Sequence, residues 1–293
     1  MKKILEINHL TSYLYDRPTT LGPQCIRLKP SNSKLYSIMD YRLKVDPNPS
    51  SIEWFDDIYG NNIASVIFDN PTTKFNIEVF TKIQFHDKMD ENLPLSSDYQ
   101  NYPFFYNYDD RKKVHPYLGA PEPTKLFEEY CDQLRSVNIN TLELVDSINK
   151  DINKNIRYAK RFEPGIYSPE STLELKTGCC RDVAWLLVNI FRKLGIASRF
   201  VSGYSVRSSF DGNENKIENK IENNELDLHA WCEIFLSNLG WVGLDATSGQ
   251  FCGCYHIPLA SAAFPFSTAP VEGLISKCFS TFKVEMSCRE VPI

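Results

Sequence analysis

Gly178-Cys179-Cys180-Arg181-Asp182-Val183-Ala184-Trp185-Leu186-Leu187-Val188-Asn189-Ile190-Phe191-Arg192-Lys193-Leu194-Gly195 is the stretch on which the reading of the fold turns. Val183, Leu186, Leu187, Ile190, Phe191 and Leu194 recur at the period of a helix with one apolar face, and Gly195 stops it. Strand-like runs follow from Ser198 to Val206, Leu228 to Leu236 and Trp241 to Ala246, with a last one through Phe282, Val284 and Met286. One helix ahead of several antiparallel strands predicts an α+β domain.

The same stretch opens with two thiols. A cysteine at a helix N-terminus faces unpaired backbone N–H groups and the positive end of the macrodipole, which favour thiolate over thiol. Those amides, Cys180's own included, are also placed to stabilise a tetrahedral oxyanion. Gly178 leaves room for a tight turn and for close substrate approach. Helical geometry does not choose between the thiols: at 100° per residue, Cys179 and Cys180 fall on either side of the Val183/Leu187/Ile190 stripe.

Two further residues complete a constellation. In Leu228-His229-Ala230-Trp231-Cys232-Glu233-Ile234-Phe235-Leu236, alternation puts His229, Trp231, Glu233 and Phe235 on one face. Ser237-Asn238-Leu239-Gly240 turns the chain, and Trp241, Gly243 and Asp245 share a face of the next strand. If Trp231 pairs with Asp245, His229 lies one diagonal away, at ~7–8 Å between backbones, within reach of a His–Asp hydrogen bond. A thiol, an imidazole and a carboxylate are the parts of a nucleophilic acyl-transfer site.

Outward from this core, residues 1–83 read as antiparallel β structure. Tyr41, Leu43 and Val45 alternate with charged neighbours, as do Phe75, Ile77, Val79, Thr81 and Ile83 with mostly polar ones. Residues 84–123 are rich in aromatics and proline, including Tyr99, Tyr102, Phe104, Phe105, Tyr106 and Tyr108, and are expected to pack across the domain boundary because so many rings are costly to leave in water. Residues 124–293 then form the core with its C-terminal strands. Asn140, with Glu143 three residues on, starts a helix through Leu142, Val145, Ile148 and Ile152. Ser208 to Asp227, with its repeated Glu-Asn-Lys-Ile, reads as a solvated loop that ends at the histidine strand and is placed to overhang it.

Composition narrows the partners. The 293 residues are 42% hydrophobic and 24% charged, an ordinary globular balance for about two domains. A net charge of -5 argues against nucleic acid, leaving protein, peptide or small-molecule substrates. Glu6, Asn8 and His9 interrupt any apolar signal region after Lys2 and Lys3, and the longest apolar run, Val183 to Phe191, is far short of the ~20 residues that span a bilayer, so a soluble cytoplasmic protein with no membrane partner is expected. The nine cysteines are odd in number and scattered, unlike a disulfide framework. Cys252, Cys254, Cys179 and Cys180 lack paired Cys-x2-Cys knuckles, so neither metal nor cofactor is expected.

Four ordered blocks carry a resemblance: Gly178 to Trp185, Leu194 to Tyr204, His229-Ala230-Trp231-Cys232-Glu233 and Gly240 to Thr247. Together they resemble the core of the bacterial transglutaminase-like superfamily. Residues ~4–83, with Tyr13-Leu-Tyr-Asp-Arg-Pro18, Asp40-Tyr-Arg-Leu43 and Tyr59-Gly-Asn61, are similar to the β domain that precedes this core in one bacterial branch, and His256-Ile-Pro-Leu-Ala260 continues the likeness. The resemblance implies a papain-like cysteine-protease core, and it assigns nucleophile, base and orienting carboxylate to Cys180, His229 and Asp245. It also selects between the thiols, since the family nucleophile stands two residues after Gly and two before Asp. Arg181 in place of a frequent glutamine and Ala246 in place of a common proline depart from the pattern.

The expected activity is therefore acyl transfer on amide or peptide bonds through a thioester, with hydrolysis favoured over cross-linking because bacterial members are often regarded as peptidases or amidases. Protein-glutamine transglutamination, or a non-catalytic binding module that retains the fold, are the alternatives. Sequence gives no oligomeric state.

Overall fold

The computed structural model describes residues 3–86, 95–119, 122, 124–135, 139–161, 163–207 and 225–291. It opens with β1 (Ile4–Thr19), β2 (Leu21–Ile26), β3 (Tyr36–Asp46), β4 (Ser51–Asp56), β5 (Asn62–Ile67) and β6 (Thr72–Phe85). Along β6, Phe75, Ile77, Val79, Thr81 and Ile83 are buried and the residues between them are not, the period-two pattern of a strand with one face on a core. β1 pairs antiparallel with β6 and β6 with β3, while β5 lies between β2 and β4 in a second sheet. Leu5 and Ile7 of β1, Ile26 of β2, Val66 of β5 and Ile77 of β6 meet in one core.

Helices α1 (Tyr108–Val114), α2 (Lys125–Gln133), α3 (Thr141–Asn155), α4 (Pro169–Leu175) and α5 (Cys180–Lys193) follow. The cap at Asn140 forms as its sequence suggests, Oδ1 accepting from the amides of Leu142 (2.9 Å) and Glu143 (3.2 Å). After α5, Gly195 takes φ +79°, a left-handed stop. Strands β7 (Ser198–Arg207), β8 (Glu225–Leu236), β9 (Gly240–Asp245) and β10 (His256–Ala262) form an antiparallel sheet in the order β9-β8-β7-β10. The apolar stripe of α5 packs on Phe200, Ala230, Cys232, Ile234 and Leu244 of that sheet.

Further along β7, Tyr204 and Val206 share the face of Phe200 by strand period but enter the N-terminal core, with Ile257 and Leu259 of β10. One sheet thus meets α5 at one end and the β domain at the other. His9 of β1 fastens the second contact: its buried ring bonds Tyr204 Oη at 2.7 Å and Thr11 Oγ1 at 2.8 Å, and burial pushes its pKa down to about 4.

The division of the chain differs from the sequence reading at its C-terminus. β11 (Val271–Ile275) pairs with β2, and β12 (Ser280–Val291) pairs with β1 over its length. The strands expected within the core at 124–293 therefore complete the two N-terminal sheets, a long-range pairing that local periodicity does not encode. The aromatic connection is packed: Tyr102 donates to the Leu194 carbonyl, Tyr106 to the Phe235 carbonyl, and Tyr117 stacks edge-on against Trp241, although Phe105 and Tyr108 are exposed. Of the loop expected from Ser208 to Asp227, residues 208–224 lie outside the described residues, whereas Glu225, Leu226 and Asp227 already belong to β8, paired with Arg207, Val206 and Ser205 of β7. Among the described residues, no helix is long and apolar enough to cross a membrane.

Candidate active site

The site starts at the α5 N-terminus. Cys179 is the N-cap, 3% exposed, and its N–H donates to Asp182 Oδ2 at 2.9 Å while its Sγ accepts from the Asp182 amide. Asp182, fully buried, also accepts from the Tyr167 amide (2.8 Å) and Arg161 Nη2 (2.7 Å) through Oδ1. Burial would raise its carboxyl, but these donors outweigh it and hold the group below the usual carboxylate range. The Asp two positions after Cys180 thus latches Arg161 and Tyr167 to the helix start. Gly178 is required there because a Cβ would lie 2.9 Å from Asp182 Cβ.

Cys180, the first helical residue, is half-buried, and the Ala230 amide of β8 faces its thiol. The thiols of Cys179 and Cys180 are hydrogen-bonded to each other and ionise as a pair. That bond, assisted by Arg181 and the Asp182 amide, draws the first proton off below the ordinary thiol range. The same bond, with burial, pushes the second ionisation far above it. Location distinguishes the two sulfurs: Cys179 is occupied in capping, whereas Cys180 faces the strand that carries His229.

β8 and β9 pair with Cys232 opposite Leu244 and Glu233 opposite Gly243, a register that puts Trp231 opposite Asp245 one step on. The diagonal expected from sequence then closes, His229 Nε2 lying 3.1 Å from Asp245 Oδ2 with both side chains under a tenth exposed. Because Nε2 is engaged, Nδ1 is the ring nitrogen left for a second partner. Asp245 Oδ1 accepts from the Thr247 amide (2.9 Å) and Oγ1 (2.8 Å), and Oδ2 also accepts from Ser248 Oγ (3.2 Å). Burial alone would raise the Asp245 carboxyl, yet hydrogen bonds from His229, His256 and Thr247 hold it far below the carboxylate range.

Residues 5–84 match the family described as the bacterial transglutaminase-like N-terminal region, and residues 128–246 match the transglutaminase-like superfamily core. The chain belongs to the transglutaminase-like superfamily. An uncharacterised protein of Mycobacterium tuberculosis is 22% identical over 98% of this chain and 92% of its own length. A crystal structure from Cytophaga hutchinsonii, titled as that of a "putative cysteine protease", superposes with a TM-score of 0.71 at 19% identity, covering 100% of this chain and 92% of that one. At that identity the likeness is one of fold, and it agrees with the α+β, papain-like architecture expected for a transglutaminase-like core.

Two members of the site lie beyond what the sequence reading assigned. Asp182 reads there only as a register mark for the motif. Its side chain could have been predicted as the N3 half of a capping box, but with cysteine rather than serine at the N-cap the signal is weak. His256, from β10, puts Nε2 at 3.4 Å from Asp245 Oδ2, the same oxygen that meets His229. Its approach depends on a bare strand between. Gly203 of β7 stands opposite His229, and a Cβ there would meet the Ile257 carbonyl oxygen and lie 2.6 Å from Trp231 Cη2. The Trp231 indole lies across that gap, edge-on to the His256 ring at 5.4 Å between centroids. Among the described residues, the cluster of potential metal-ligand atoms is His229, Asp245 and His256, mutually within 4.8 Å. Cys179, Cys180, Cys252 and Cys254 do not converge into one.

Proposed function

We propose that the protein is a cysteine-nucleophile enzyme that cleaves amide or peptide bonds through a thioester. The observation that carries this reading is the buried His229–Asp245 pair at 3.1 Å, next in sequence to the residue whose amide faces the Cys180 thiol. Cys180 Sγ, as thiolate, adds to the substrate carbonyl carbon, its proton having passed to His229 Nδ1. The α5 N-terminal amides, Cys180's own among them, stabilise the oxyanion. When the tetrahedral adduct collapses, His229 protonates the departing amine and the acyl group stays on sulfur. His229 then deprotonates a water, which attacks the thioester and releases a carboxylic acid and the thiol. Asp245 keeps the Nε2 proton in place and stabilises the imidazolium, as expected for the third member of such a triad.

A screen of carboxamides and peptides, following ammonia or amine release with and without an added primary amine, tests the reaction. Hydrolysis predicts release that needs no acceptor; release only with the amine would make the protein a transglutaminase. Cys180→Ala should abolish turnover and the labelling of one cysteine by iodoacetamide near pH 6, while Cys179→Ala, which removes the hydrogen bond between the thiols, keeps turnover and keeps the label on Cys180 at a slower rate. Mass spectrometry placing the label on Cys179 would overturn the nucleophile assignment. Absence of turnover and of selective labelling in the intact protein would mark a binding module that retains the fold.

A further inference from the structure

The carboxylate of Asp245 serves two imidazoles. His229 Nε2 and His256 Nε2 lie 3.1 and 3.4 Å from the same oxygen, Oδ2, while Oδ1 is taken up by both donors of Thr247. A carboxylate offers about four lone-pair sites, and five donors surround this one when the Ser248 hydroxyl at 3.2 Å is included. Its orientation is therefore set by all of them together and not by His229 alone. Thr247 and Ser248 follow Asp245 in the chain and move with its backbone. His256 arrives from another strand, separated from β8 by β7, so it references the carboxylate to the sheet itself.

His256 is built into that place. Its side chain is 16% exposed, its backbone N–H donates to the Gly253 carbonyl at 3.0 Å, and its ring meets Trp231 edge-on at 79°. Trp231 is itself fixed, its Nε1 donating to Glu233 Oε1 at 3.3 Å and Glu233 pairing with Arg199 at 2.7 Å. The same indole stacks beside His229, with centroids 6.4 Å apart and planes at 29°. One rigid ring thus flanks both imidazoles, whose own centroids lie 6.1 Å apart, and Gly203 makes room for it.

We propose that His256 is a positioning residue of the site: by donating Nε2–H to Asp245 Oδ2 it holds the carboxylate in the orientation that His229 needs. The proposal rests on the triad reading of Cys180, His229 and Asp245. In this arrangement both imidazoles carry their proton on Nε2, an assignment that follows from a shared acceptor. His229 Nδ1 is then the basic nitrogen left for the nucleophile, and His256 exchanges no proton with substrate. A structural histidine would support folding alone. One that acts through Asp245 should change the rate, and should do so only while Asp245 is a carboxylate.

The test is a comparison of His256→Phe, which keeps an aromatic ring against Trp231 but removes the donor, with His256→Gln, which restores an N–H at a similar reach. Turnover of an amide substrate found in the screen and the rate of iodoacetamide modification of Cys180 are both read. We expect His256→Phe to lower kcat by about 10- to 100-fold, the worth of one hydrogen bond to a charged group expressed in rate, with KM within about twofold, since binding and reaction divide this way when only the reacting geometry suffers. His256→Gln should recover most of the loss. In an Asp245→Asn background, His256→Phe should cost nothing further. Wild-type kcat in His256→Phe, or an equal loss in the Asp245→Asn background, would overturn the proposal while leaving the triad standing. If His256→Phe fails to fold, His256→Gln against His256→Leu makes the same comparison. A wild-type protein with neither turnover nor a selectively reactive Cys180 would fail the triad reading first, and the role of His256 with it.

Discussion

Asp182→Asn separates what the cysteine motif does structurally from what it does chemically. Asp182 is fully buried and satisfies three donors, the Cys179 and Tyr167 amides and the Arg161 guanidinium. The amide variant keeps the shape but turns one acceptor into a donor. It therefore faces either an N–H or the guanidinium with the wrong polarity and removes the charge that balances Arg161. Breaking one partner of a buried pair costs about 3–5 kcal/mol, against a total stability of roughly 5–15 kcal/mol. In large domains each kcal/mol moves Tm by about 2–4 °C, so a fall of roughly 10 °C is expected by scanning calorimetry or circular dichroism. The pH dependence adds a sign. Because the folded carboxyl is held below its ordinary value, its contribution is complete above the unfolded pKa of ~3.9 and is lost as pH falls toward the folded one. The Tm gap between wild type and variant should therefore be constant from pH 5 to 7 and narrow below about pH 4. A variant that melts within 2 °C of wild type at pH 7, or a gap that widens in acid, would refute the latch. Loss of activity with unchanged Tm would instead mean that Asp182 belongs to the chemistry.

Asp245→Asn should lower turnover by about 10²–10⁴, because an amide can favour the wrong imidazole tautomer and cannot stabilise the imidazolium; full activity across pH 5 to 9 with an unchanged Tm would remove Asp245 from the triad. Gly203→Ala should destabilise by about 1–3 kcal/mol through overpacking, since its Cβ would press on the Ile257 carbonyl oxygen and lie 2.6 Å from Trp231 Cη2. Thermal melts measure that cost, and a neutral result would show that the indole and β10 can yield.

The elements that bear directly on function were legible because each repeats a local rule. The α5 stripe is a 3.6-residue period, the β8–β9 hairpin is a two-residue alternation with a three-residue turn, and the His229–Asp245 contact follows once the register between neighbouring strands is fixed. What stayed hidden is what sequence-distant strands bring together. β12 reaches β1 from the far end of the chain, and nothing in Ser280–Val291 distinguishes that partner from a core strand. His256 is hidden for the same reason: its role depends on β10 pairing with β7, on Gly203 lacking a side chain between them and on Trp231 lying across the gap.

These hidden contacts are also where the two halves of the molecule become one device. β7 and β10 carry Tyr204, Ile257 and Leu259 into the N-terminal core, and they carry Gly203 and His256 to the carboxylate. Adjacent residues of a strand point to opposite faces, so Gly203 beside Tyr204 and His256 beside Ile257 place the site and the interdomain core back to back on the same two strands. A shift of β10 relative to β7 would disturb both together. The β domain, which contributes none of Cys180, His229, Asp245 or His256, therefore bears on the geometry of the carboxylate through the packing of two strands, with the buried His9–Tyr204 hydrogen bond at 2.7 Å as one of its polar fastenings.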